Sequence, residues 1–132
     1  MRQHLPKIRL ALFILAALGI LWASLHPHPY LPKAGLFSWD KAQHALAYAV
    51  LTLLGGWALQ PIVKKALSAW IWAAGIAIGY GLLLEVAQTL LTRHRRTQLG
   101  DALADALGAL AVLFLAWLLV VATEKKKQRE RG

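Results

Sequence analysis

Residues 67–91 read LSAWIWAAGIAIGYGLLLEVAQTLL, and this stretch decides the fold. Of its 25 residues only Glu85 is an Asp, Glu, Lys or Arg. At a helical rise of about 1.5 Å per residue it reaches roughly 37 Å, enough to cross about 30 Å of bilayer hydrocarbon with some tilt. An ionisable side chain facing lipid costs at least about 2.5 kcal/mol, so Glu85, roughly 9 Å along the helix from Leu91, must turn toward protein or water. One reading gives it a hydrogen bond between helices, and the other makes it part of a site.

Working outward, the same apolar character returns at about 10–25, 41–59 and 101–122. The expected fold is all-α, a bundle of four transmembrane helices in a single domain over 1–132, with no internal repeat or low-complexity linker to divide it. The first stretch has a second reading as a secretory signal, because Arg2, Lys7 and Arg9 precede it and the small residues Ala23 and Ser24 stand near its end. Four spans bury the polar residues better than three.

Composition agrees: 58% of the residues are apolar and the mean hydropathy is +0.51. A net charge of +9 and a pI near 10.4 invite a nucleic-acid reading, but here the basic residues flank apolar runs instead of forming a face on a water-soluble fold. With no cysteine, disulfides, thiolate nucleophiles and cysteine-ligated metals are excluded.

Orientation follows from the Lys and Arg distribution. The N-terminus, the loop after the second helix and the C-terminal tail hold ten (Arg2, Lys7, Arg9, Lys64, Lys65, Lys125, Lys126, Lys127, Arg129 and Arg131) and the other side five (Lys33, Lys41, Arg93, Arg95 and Arg96). The excess predicts both termini on the cytoplasmic side. Trp57, Trp70, Trp72 and Trp117 then fall toward the inner boundary, with Trp22, Trp39 and Tyr30 toward the outer one, as interfacial anchors.

Connectivity gathers the remaining polar residues. Alternate helices run in opposite directions, so the start of the second (Asp40, Lys41, His44, Tyr48), the end of the third (Glu85, Gln88) and the start of the fourth (Asp101, Asp105) share one end of the bundle, whichever way it sits. His44 and Tyr48, Glu85 and Gln88, and Asp101 and Asp105 stand three or four residues apart, so each pair occupies one helical face. Three polar stripes can converge on a pocket. The plainer reading makes Asp40 and Asp101 helix caps, a role that suits Asp105 less because it lies a full turn inside.

Arg93, Arg95 and Arg96 run against the charge rule, and their planar forks suit a carboxylate, a lipid headgroup or a phosphorylated ligand. His26, His28, His44 and His94 share that end, but no three have the spacing of a known metal site, and neither metal nor cofactor is expected. Gly75 and Gly79 form a GxxxG that suits either a homodimer or the bundle's own packing, and Gly108 permits close approach in the fourth helix.

Taken together, Trp39-Asp40-Lys41 with His44 and Tyr48, Glu85 with Gln88, an arginine ahead of Asp101, then Asp105 and Gly108, resemble the VanZ-like family of small bacterial membrane proteins. The namesake of that family is linked to teicoplanin resistance. Arg95, with Arg96 next to it, is the arginine that corresponds. The family usually carries Asn where this chain has Asp105, which adds a charge. The resemblance implies an envelope-facing role in the bacterial cell membrane.

From these residues the expected function is binding of an anionic amphiphile, a lipid-linked phosphate or a lipoglycopeptide, at the outer face. Asp40, Lys41, His44, Tyr48, Glu85, Gln88, Arg95, Arg96, Asp101 and Asp105 form the pocket, with membrane lipids as partners and no nucleic acid. The alternatives are an enzyme using His44 or Glu85 as general acid or base, and a structural assembly partner. No HExxH signature is present, and Thr89, Thr92 and Thr97 lack an evident base triad.

Overall fold

The computed structural model describes residues 4–26, 39–92 and 98–132, with the side chain of Trp39 excepted. They form four helices, α1 (Leu5–Leu25), α2 (Trp39–Leu59), α3 (Ala66–Leu91) and α4 (Leu99–Arg131), and no strand among the described residues. All four are long and apolar enough to cross a membrane. A helix closes its backbone hydrogen bonds within itself, which is the condition for crossing hydrocarbon.

Two boundaries differ from the sequence expectation. The first helix starts at Leu5 instead of near residue 10, with Pro6 in its opening turn, where the missing N–H has no helical acceptor to lose. It ends at Leu25 because His26 is extended at ψ 139°, as the residue before a proline prefers. At the other terminus α4 runs on to Arg131, well past residue 122. Its 33 residues measure about 50 Å, so the polar last turns project beyond the hydrocarbon. Lys and Glu are good helix formers, Lys126 pairs with Glu130 at 3.9 Å, and Arg129 and Arg131 complement the dipole.

Packing divides the bundle into a tight trio and an attached fourth helix. α2, α3 and α4 all contact one another, whereas α1 lies against α2 and α3 and contributes no buried residue. The trio meets through small residues: Ala69, Ala73, Ala77 and Gly81 recur every fourth position of α3 and are buried, and Glu85 continues the same row. Gly75 and Gly79 lie two positions off that row, about 200° around the helix, and a Cβ at either would meet nothing within 4 Å. Among the described residues, no side chain or neighbouring helix closes on either glycine, so the GxxxG makes no close helix contact there.

The closest approach is at Gly108. A Cβ there would fall 2.0 Å from the carbonyl oxygen of Ala45, so α4 crosses α2 with backbone against backbone. Gly56 does the same for the ring of Trp70. Tyr48, Leu51, Ala74, Ala77 and Ala109 form the centre, against which Phe13, Ala17 and Ile20 of α1 pack.

Three side chains tie α1 to the trio. Tyr80 donates to the Ala17 carbonyl at 2.6 Å, Gln88 to the Ser24 carbonyl at 2.7 Å, and Arg9 to the Trp57 carbonyl at 3.4 Å, its guanidinium 4.7 Å over the indole. Trp57 thus holds a cation, while Trp22 and Trp72 remain more than 60% exposed, as interfacial aromatics do.

Candidate functional site

Two rungs join the starts of α2 and α4. Lys41 Nζ donates to Asp101 Oδ1 at 2.8 Å, and one turn deeper His44 Nδ1 meets Asp105 Oδ1 at 2.9 Å. The three-residue step on α2 and the four-residue step on α4 keep both pairs on facing sides of the two helices. Glycine makes room for each rung. A Cβ at Gly100 would sit 2.8 Å from the Lys41 ammonium, and one at Gly81 would sit 2.9 Å from Asp105 Oδ2 and 3.0 Å from Tyr48 Cε1. Asp105 and Tyr48 therefore lie against the bare backbone of α3.

Burial deepens along the ladder. The side chains of Lys41, Asp101 and His44 are 18%, 14% and 22% exposed, whereas Asp105, Tyr48, Glu85 and Gln88 are buried. Glu85 Oε2 accepts the backbone N–H of Gln98 at 3.4 Å, and Gln98 is the cap residue of α4. A carboxylate there meets an N–H that the helix leaves unpaired and faces the positive end of its dipole. Asp101 does not act as a side-chain cap. It is the third residue of α4, and Lys41 takes its carboxylate.

All eight described members of the expected set lie at this end, four of them buried and Asp40, Lys41, His44 and Asp101 half-buried. Gln88 has a structural duty in its bond to Ser24. Arg95 and Arg96 lie outside the described residues, as do Arg93, His28 and His94. His26 holds the end of α1, its ring Nδ1 2.8 Å from the Trp22 carbonyl and its ring centroid 4.3 Å from that of the indole.

Beside the ladder, a cavity of about 140 Å³ separates α1 from α2. Ile20, Ala23 and Ser24 form one wall; Asp40, His44 and Tyr48 are on the other. His44 thus has a buried carboxylate at one edge and open space nearby. A larger cavity of about 230 Å³ lies toward the opposite end, among Phe13, Gly55, Ala58 and Ala73, with Lys7 its single charged lining residue. Its walls suit an acyl chain and offer no chemistry.

Asp40, His44 and Asp101 each present one ligand atom within 4.8 Å of the others, a donor set of two carboxylates and an imidazole. Histidine spacing does not reveal this set, because Asp101 arrives from another helix. Ser24, Gly81 and Gly100 join the site only through the packing of the helices. Only Gly81 left a trace in the sequence, as the last small residue of the row 69, 73, 77, 81.

Among the described residues the cluster is acidic, with Asp40, Glu85, Asp101 and Asp105 around one lysine. Four carboxyls around one lysine are balanced by further positive charge, from arginine, from a protonated His44 or from a bound cation, or by protonation of a carboxyl. In comparisons with known proteins, no family model, no curated protein and no solved structure matches this chain.

Proposed function

We propose that this chain is a cell-membrane protein, with both termini cytoplasmic, that binds an anionic amphiphile at the extracytoplasmic end of the bundle. The observation that carries the reading is the inward-facing polar ladder beside a cavity that α1 walls with Ile20, Ala23 and Ser24. An amphiphile needs both: Lys41, Arg95 and Arg96 for the anion, and an apolar wall with adjoining lipid for the tail. The residue pattern that resembles VanZ-like proteins favours a bacterial envelope role and makes a lipid-linked phosphate or a lipoglycopeptide such as teicoplanin the ligand to test first.

The test is lipid co-purification in nanodiscs cut directly from the membrane, followed by mass spectrometry. Enrichment of one phosphorylated lipid over the bulk, lost in Arg95→Ala and Lys41→Ala but retained in Lys126→Ala, is the expected result. A bulk-lipid profile in all four proteins overturns the reading.

A second reading is favoured by His44, whose imidazole is oriented by a buried carboxylate and borders the cavity, as a general base requires. In that case the bound lipid is turned over, and His44→Gln abolishes product while leaving lipid enrichment in place.

A further inference from the structure

We infer that Asp40, His44 and Asp101 form a binding site for a first-row divalent cation such as Mn²⁺ or Zn²⁺. The inference does not rest on the amphiphile, because ion binding is a property of the protein alone.

Geometry is the first ground. The three ligand atoms lie within 4.8 Å of one another. Around an ion with bonds of about 2.1 Å at tetrahedral to octahedral angles, ligand atoms stand roughly 3.0–3.5 Å apart. Closing the difference takes a shift of about 1 Å or a little more, within reach of carboxylate rotation. Two hard oxygens and one imidazole suit Mn²⁺ and Zn²⁺ better than Ca²⁺ or Mg²⁺, which take all-oxygen shells.

A second ground lies outside the trio. Asp105, 3% exposed, holds His44 Nδ1 at 2.9 Å. A metal-binding histidine almost always donates its other ring N–H to a carboxylate or carbonyl, which fixes the tautomer and the ring plane. Here that donor is Nδ1, and Nε2 is the nitrogen left for an ion.

Space and charge complete the case. Asp40 and His44 line the 140 Å³ cavity, which has room for several waters or a ligand oxygen at the remaining coordination positions. Lys41 occupies one oxygen of Asp101, so its ammonium and the ion compete for the same negative charge.

The experiment uses the full chain in nanodiscs, stripped with EDTA and titrated with Mn²⁺ under electron paramagnetic resonance. One Mn²⁺ per chain is expected, with a pulsed-resonance ¹⁴N coupling that reports a bound imidazole in the unmutated protein. Affinity should fall at least tenfold in His44→Gln and in Asp101→Asn, fall about 10- to 100-fold in Asp105→Asn, rise in Lys41→Met, and stay unchanged in His26→Gln/His28→Gln. Absence of saturable Mn²⁺, absence of the ¹⁴N coupling, or loss of binding in the His26/His28 variant overturns the site. The ¹⁴N measurement needs no variant and so decides the matter even where a substitution fails to fold. Lipid enrichment that persists after EDTA separates failure here from failure of the proposed function.

Discussion

Replacing Gly108 by alanine tests the packing on which the site depends. The added Cβ would fall 2.0 Å from the Ala45 oxygen and 2.8 Å from its carbonyl carbon, and both are backbone atoms that cannot swing aside. Non-bonded carbon atoms keep more than about 3 Å from such oxygens, so α2 and α4 must part by roughly 1 Å or more at this crossing. Ala45 adjoins His44, and Gly108 lies one turn from Asp105, so the same displacement stretches the 2.9 Å His44–Asp105 contact to about 3.9 Å, beyond hydrogen-bonding range. Overpacking of this kind costs about 1–3 kcal/mol, to which loss of an interhelical hydrogen bond adds about 0.6 kcal/mol. Reversible unfolding of the purified protein in mixed micelles measures the sum, and Mn²⁺ titration reads the site in the same sample. Gly75→Ala and Gly79→Ala are matched controls: with nothing within 4 Å, they should be neutral or gain up to about 1 kcal/mol from helix propensity. If Gly108→Ala unfolds like the unmutated protein and still binds Mn²⁺ equally well, the backbone crossing does not hold the ladder together and the reasoning fails.

Three further outcomes follow from individual contacts. Thr52 is fully buried with no partner for its hydroxyl among the described residues, so Thr52→Val should stabilise by about 1 kcal/mol, whereas a loss of that size would show that Oγ1 is bonded after all. Tyr80→Phe with Gln88→Leu removes two of the three described side-chain bonds that hold α1, so proteolysis near His26 should quicken, and unchanged cleavage would contradict the tether. Single cysteines at Lys64 and Gln98, probed with an impermeant thiol reagent in intact cells, should label at 98 and not at 64, and the reverse pattern would invert the proposed orientation.

The polar residues show why part of the site could be read early. Glu85 was legible because hydrocarbon is a poor solvent for an ionisable group, and that argument needs no coordinates; it is 5% exposed. The grouping of Asp40, Lys41, His44, Asp101 and Asp105 at one end followed from helix direction alone. Which partner each would take did not follow. Lys41 with Asp101 and His44 with Asp105 are set by the rotation of α2 against α4, and nothing local records that angle. The glycines make the same point from the opposite side, for the GxxxG spacing of Gly75 and Gly79 drew attention while Gly81 and Gly108 make the contacts.

Sequence by itself determined that the chain is four apolar helices and that Asp40, Lys41, His44, Glu85, Asp101 and Asp105 collect at one end, because length, hydropathy and alternating direction are properties of the chain written out in order. Tertiary structure alone decided the small-residue row through which α3 packs, the backbone crossing at Gly108 and the trio Asp40, His44 and Asp101. Each of these depends on how helices rotate and approach. That is fixed by the fit of every side chain in the interface at once, and no single segment carries the information.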